Sequence, residues 1–160
     1  MNKILTTDQA IRVSTQLSQQ GKIIVLSGGC FDILHIGHIR FLKQAKEQGD
    51  VLLVMLEHDD AIKKRKGEHR PLNTQSDRAE ILACLDMVDY VIILPAKTDD
   101  TFYNGLVNQL KPAIIATTAG DPTRAHKERQ SKRIGAKVVD VIESITNKST
   151  TKLISILREL

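Results

Sequence analysis

The sequence predicts a doubly wound, three-layer α/β/α sandwich on a parallel sheet of about five strands. Short runs that are apolar at nearly every residue alternate with stretches of helical periodicity, and glycines mark the junctions. Strands buried on both faces and separated by helices need right-handed crossovers, which place helices on both sides of the sheet. In order, Thr6 with Gln9 forms a capping-box start, and Ile11, Val13 and Leu17 carry an opening helix over about 7–20 that Gly21 stops. "KIIVLS" (22–27) is a strand running into Gly28-Gly29, and "IRFLKQAKEQ" (39–48) is a helix stopped by Gly49. A strand (51–57), a helix (75–85), a strand (90–94), a helix (100–110), a strand (113–117) and a helix (123–134) follow. A strand from about 138 and a last helix from Ser149 close the chain. Residues 58–74 are basic, contain glycine and show no period; they read as a long loop, and loops of that length in compact domains are usually functional.

A chain of 160 residues suits one domain, 1–160, and it shows no internal repeat or low-complexity segment. Hydrophobic residues make up 41% and charged residues 26%, and no apolar stretch approaches the ~18–20 residues of a membrane span, which predicts a water-soluble protein. The first twenty residues, interrupted by Asp8 and glutamines, lack the apolar core of an export signal, so a cytoplasmic location is expected. Two cysteines, Cys30 and Cys84, without CxxC spacing fit a reducing compartment and argue against a disulfide framework or a structural zinc site. The formal charge of +4 gathers in "KKRKGEHR" (63–70) and "HKERQSKR" (126–133). Aromatic residues are only 3% and none is interleaved with either cluster, which argues against a nucleic-acid partner. The second cluster reads as a solvated helix face; the first is equally open to a role at a ligand.

The stretch "GGCFDILHIGH" (28–38) carries the chemistry. In an open parallel sheet, ligands sit outside the carboxyl ends of the strands, where helix N-termini offer unpaired N–H groups and a partial positive charge. A phosphate is the natural guest, and Gly29 and Gly37 let the backbone approach it. His35 and His38, three apart at a helix start, face one side and can donate to phosphate oxygens or, when protonated, neutralise charge on a leaving pyrophosphate. Zinc ligation would need Asp32 or a distant third ligand, and no HExxH pattern is present. The absence of GxGxxG argues against a dinucleotide-dependent enzyme. Cys30 reads as a turn residue whose N–H matters more than its sulfur. Asp32 either orients the site, touching a metal's water shell, or serves as an Asx-type turn.

These residues resemble the signature of the nucleotidyltransferase superfamily, and the chain length is similar to its small cytidylyltransferase-like branch. The histidine-glycine-histidine box reads HIGH to the letter. "KGEHRPLNTQSDRAEIL" (66–82) is similar to the second family element, "TAGDP" (118–122) to a Gly-Asp turn, and "KSTTKLI" (148–154) to the closing Ser-Thr-Thr helix start. Within the branch, the leading helix and "RPLN…R" resemble the heptose-1-phosphate adenylyltransferases of lipopolysaccharide-precursor synthesis, with the glycerol-3-phosphate cytidylyltransferases as near neighbours. Two departures stand out: Thr118-Ala119-Gly120-Asp121 has no lysine before its turn, and Lys148 replaces an arginine before Ser-Thr-Thr.

The resemblance implies a Rossmann-like fold and transfer of a nucleoside monophosphate from a nucleoside triphosphate, ATP favoured, to a sugar phosphate, with release of pyrophosphate. It implies His35, His38 and Lys66 as catalytic groups. Gly29, Cys30, Phe31, Asp32, Ile36, Gly37, Lys63, Lys64, Arg78, Gly120, Asp121, Lys148, Ser149, Thr150 and Thr151 would bind the nucleotide. Mg²⁺ would be carried mainly by the triphosphate, with no dedicated protein metal site. The implied partners are the nucleotide and the phosphorylated acceptor, with no membrane; a homodimer is compatible with this reading. The alternatives are a CTP-dependent enzyme acting on glycerol 3-phosphate or another polyol phosphate, and a nucleotide-binding regulator without turnover.

Overall fold

In the computed structural model, which describes residues 2–143, the chain enters through a two-residue strand β1 (Ile4–Leu5) and turns at Thr6 into α1 (Thr7–Gln19). The capping box is reciprocal: Gln9 N donates to Thr6 Oγ1, and Thr6 N donates to Gln9 Oε1 at 2.8 Å. Then follow β2 (Ile24–Gly29), α2 (Ile36–Lys46), β3 (Val51–Leu56), α3 (Asp59–Lys66), α4 (Gln75–Ala83) and β4 (Tyr90–Ile93). The described part closes with α5 (Asp100–Leu110), β5 (Ile114–Thr118), α6 (Arg124–Ile134) and β6 (Lys137–Ile142).

All six strands are parallel, in the order β1-β4-β3-β2-β5-β6. Residues on alternate sides of each strand feed two cores. Ile24, Leu26, Leu53, Ile92 and Ile115 pack against α1 and α5, while Val25, Leu52, Val54 and Val91 pack against α2 and α4. This is the expected three-layer, doubly wound arrangement. The chain builds outward from β2 through β3 to β4, then returns to lay β5 on the other side of β2. The switch point, where such sheets hold ligands, therefore lies between the carboxyl ends of β2 and β5. At the far end of β2, Gly49 is required by close approach: a Cβ there would stand 2.7 Å from the Ile23 carbonyl oxygen.

The sheet has the expected form with six described strands, one more than the five runs legible in the sequence, because β1 is too short to show a period and exists only through its pairing of Ile4 with Val91 and Leu5 with Ile92. One expectation is corrected. Residues 58–74 are not one loop, since they contain α3. Its cap is His58, whose Nδ1 accepts from Asp60 N at 3.2 Å, and histidine is not among the residues that mark a helix start by type. Only Ala61 and Ile62 supply apolar character. The helix is favoured electrostatically, with Asp59 and Asp60 in the first turn and Lys63 to Lys66 in the last. The expected last helix from Ser149 lies outside the described residues.

Candidate active site

β2 ends in Gly28-Gly29, and the turn after it carries Phe31 in the left-handed region (φ 43°), a strained conformation for a bulky residue. The strain is held by packing: the Phe31 ring lies 5.2 Å from the His38 ring and would be touched at 3.1 Å by a Cβ on Gly29. His35 is the N-cap of α2, its Nδ1 accepting from Gly37 N at 3.1 Å. In the neutral ring this bond leaves the proton on Nε2. One turn on, the His38 ring stacks on His35 with centroids 3.9 Å apart. Burial lowers both imidazoles. His38 is pushed down to about 4 by burial and by the neighbouring His35 and Lys66 charges, against a hydrogen bond with the Ile33 backbone. Near pH 7 burial thus favours the neutral form of both rings over the protonated pair that charge neutralisation would use.

These rings line a cleft of about 380 Å³ at the switch point, together with Gly28, Gly29, Cys30, Phe31, Gly37, Lys66, Thr117, Thr118 and Asp121. Lys66, the last residue of α3, reaches back so that Nζ donates to Cys30 Sγ at 3.3 Å; the sulfur as well as the backbone of Cys30 is therefore engaged. A second cleft of about 420 Å³ opens on the other side of Gly28-Gly29, between the sheet and α5 and α6. Leu26, Met55, Val107 and Ile115 form its floor, and Tyr103, Asp100, His126 and Gln130 part of its rim. His126 Nδ1 lies 3.5 Å from Asp100 Oδ2. Burial pushes the Tyr103 hydroxyl up, while a hydrogen bond with Thr98 opposes the shift.

Several expected ligand-binding residues act elsewhere. Asp32 is buried, and its carboxylate accepts from Arg70 Nε at 2.7 Å, Leu72 N at 2.8 Å and Asn73 N at 3.1 Å. It clamps the "RPLN" element to the turn and is not free for a ligand. Arg78 is fully buried, its guanidinium donating to the carbonyls of Cys30, Glu57 and Asn73 and to Asp59. It braces the turn from behind, because four acceptors converge where no water reaches. Lys63 and Lys64 are exposed and do not line the first cleft; helical phase turns Lys64 nearly opposite to Lys66. Ile36 points to solvent, and Gly120 is exposed in its turn. The Asp121 carboxylate is at the cleft but already bonded. Burial would raise it, yet hydrogen bonds from Lys127, Thr123 and Thr117 outweigh that and hold it well below the usual carboxylate range. Lys148, Ser149, Thr150 and Thr151 lie outside the described residues.

The structure also brings in residues that sequence reasoning missed: Glu57, Arg65, Tyr103, Thr117 and Lys127. Lys127 lies on the helix face shared by positions 124, 127 and 131, which the structure turns inward at the buried Ser131. The cluster 126–133 is therefore not uniformly a solvated face. Among the described residues no group of three or more His, Cys, Asp or Glu side chains is placed to hold a metal ion, and no helix is long and apolar enough to cross a membrane.

Residues 26–156 match the model of a family described as cytidylyltransferase-like. The chain is 44% identical over 146 residues to the bifunctional protein HldE of a Nitratiruptor species, covering 91% of this chain and 30% of that protein. It therefore spans under a third of the HldE relatives' length. It is 43% identical over 128 residues to an FAD synthase of Thermococcus sibiricus, covering 78% of this chain and 84% of that one. Among solved structures, a lipopolysaccharide core biosynthesis protein from Thermoplasma volcanium superposes with a TM-score of 0.61 at 28% identity, covering 77% of this chain and 96% of that chain. A pantoate-beta-alanine ligase from Francisella tularensis superposes with a TM-score of 0.67, covering 99% and 77%; at 18% identity it shows the fold alone.

Proposed function

The chain belongs to the cytidylyltransferase-like family, and on that premise we propose that it transfers a nucleoside monophosphate from a nucleoside triphosphate, ATP favoured, to a sugar phosphate such as heptose 1-phosphate. The observation that carries this reading is the stacked histidine pair at the α2 N-terminus, lining with Lys66 the cleft at the switch point. The triphosphate occupies this first cleft and the acceptor occupies the second. An acceptor phosphate oxygen attacks the α-phosphorus in line. The new P–O bond forms as the bond from the α-phosphorus to the bridging oxygen breaks, and pyrophosphate leaves with that electron pair.

The protein's part is positioning and charge stabilisation. His35, with its proton on Nε2, and His38 donate to the bridging and leaving oxygens. Negative charge building there raises the rings' affinity for a proton, so they follow the charge as it develops. Lys66 leaves Cys30 for the β- and γ-phosphates, and α3 closes over them. By the sequence resemblance, Lys148, Ser149, Thr150 and Thr151 also hold the nucleotide's phosphates. Mg²⁺ would come with the nucleotide: Glu57 and Asp121, which line the cleft, are each paired with a cation, so phosphates and water would hold the ion. It would supply charge neutralisation on the triphosphate.

The sugar-phosphate acceptor is supported by the HldE relatives and by the lipopolysaccharide core biosynthesis neighbour. ATP over CTP rests on the likeness of the leading helix and "HRPLNTQSDR" to heptose-phosphate adenylyltransferases. The test is a grid of ATP, CTP, GTP and UTP with Mg²⁺ against sugar and polyol phosphates, read by pyrophosphate release. ATP with heptose 1-phosphate is expected to be fastest. CTP with glycerol 3-phosphate at an equal rate overturns the ranking, and no release from any pair overturns the enzyme reading.

A further inference from the structure

Six residues line both clefts: Gly28, Gly29, Glu57, Arg65, Asp121 and Lys127. The glycines put no side chain between the clefts, so a group in one can touch a group in the other. On either side stands a carboxylate–cation pair, Glu57 with Arg65 at 2.6 Å and Asp121 with Lys127. Joining an acceptor phosphate to a nucleotide α-phosphate brings two anions to this junction, and their repulsion has to be offset there by a cation. Arg65 is the poorer candidate, since its side chain is 55% exposed on the short helix α3. Lys127 is 22% exposed and comes from α6, packed on β5 and β6. Its Nζ donates to Thr117 Oγ1 at 2.9 Å and to Asp121, which accounts for two of its three protons. Asp121 does not depend on it alone, because Thr117 Oγ1, Thr123 N and Thr123 Oγ1 also donate to that carboxylate. The ammonium can therefore turn to a phosphate without leaving a bare buried charge.

We propose that Lys127 binds the phosphate of the acceptor and presents it, from the second cleft, to the α-phosphorus in the first. This rests on the two-cleft reading above. Lys127 makes no covalent bond and keeps its proton throughout.

The test is equilibrium binding by calorimetry of a non-hydrolysable ATP analogue with Mg²⁺ and, separately, of heptose 1-phosphate and glycerol 3-phosphate. The proteins are the wild type, Lys127→Ala, Lys127→Gln, Lys127→Arg, Arg65→Ala and Asp121→Asn, each checked for folding by circular dichroism. Loss of one charge-assisted contact predicts sugar-phosphate affinity lower by about 10- to 100-fold in Lys127→Ala, with the ATP analogue within about threefold of wild type. Lys127→Arg should recover part of the loss, and Asp121→Asn should cause none. Lys127→Gln, which keeps most of the volume and a donor toward Thr117, serves if the alanine variant does not fold. Equal losses for nucleotide and acceptor, no loss, or a loss seen in Arg65→Ala in place of Lys127→Ala overturns the assignment. So does a loss reproduced by Asp121→Asn, which would make Lys127 a prop for that carboxylate, and so does a wild type that binds nucleotide but neither sugar phosphate. Failure of the transferase reading looks different: both ligands bind, Lys127→Ala weakens only the acceptor, and no pyrophosphate is released.

Discussion

On the α2 side, the first cleft takes Gly28, Gly29, Cys30, Phe31, His35, Gly37, His38 and Phe41 from fourteen consecutive positions, 28 to 41. The second cleft takes Leu26, Met55, Tyr103, Ile115 and Gln130 from five different elements. The first is also braced from behind, by Arg78 on the Cys30 and Glu57 carbonyls and by Asp32 on Arg70 and the following turn. The second has an apolar floor and, at its outer rim, the exposed pair His126 and Asp100. On the proposed function, the contrast suits a triphosphate held in one rigid geometry and an acceptor held by a wall that can vary. A short contiguous segment can hold one fixed geometry, whereas a wall drawn from several helices can change residue by residue without disturbing the chemistry.

If the first cleft is the braced one, Arg78→Leu should produce the largest effect, a loss of about 3–5 kcal/mol in urea unfolding. It leaves Asp59 and three carbonyls without their donor. A loss under about 1 kcal/mol would mean that the turn stands without its brace. Next comes His38→Ala, expected to lower kcat by about 10²–10³ with the fold intact in circular dichroism. His35→Ala should act likewise, and the double variant should cost less than the product because both rings serve one leaving group. Normal turnover in His38→Ala would remove the histidines from the chemistry.

Acid should distinguish the clefts through His38. The folded ring binds a proton only near pH 4, whereas the unfolded chain binds one near 6.5, so between those values protons favour the unfolded state. Stability from this source is intact above about pH 6.5, declines as the pH falls, and is fully lost near pH 4. The melting temperature should drop on the order of 5 °C more in the wild type than in His38→Gln across that window. Asp121, held low, adds a separate loss that begins as the pH falls through the ordinary carboxylate range and continues below it. Parallel curves for the two proteins would show that His38 is not held neutral. The smallest effect belongs to the second cleft: Tyr103→Phe should raise the KM of the acceptor by about 2- to 10-fold and leave that of the nucleotide unchanged, as loss of one neutral hydrogen bond predicts. A matching rise for the nucleotide would erase the division between the clefts.

The strand–glycine–helix unit at 22–48, the capping box at Thr6 and the α5 limits at 100 and 110 were legible because each depends on neighbours within a few residues. So was the histidine pair, whose spacing and helix start lie in one stretch. α3 was not legible, since its cap is an imidazole and its stability comes from charges at its two ends and from the one buried side chain, Ile62. Asp32, expected to orient the site or to serve its turn, and Arg78, expected at the nucleotide, were legible as important, but their partners were not, because sequence spacing does not say which way a side chain points.

The alternation of strands and helices, the glycine turn after β2 and the two histidines at the start of α2 were all readable from short windows of the chain. Backbone propensity, capping and hydrophobic period act over a few residues and are written there. The return of β5 beside β2 is settled by packing between layers, and with it the meeting of Thr117 and Lys127 with a cleft whose glycines lie some ninety to a hundred positions earlier. The tertiary structure also decided that Arg65, not Lys63 or Lys64, shares the junction with them. Those pairings depend on sheet order and helix phase, which are set by how whole layers bury their apolar faces against one another, and no short window of sequence contains that information.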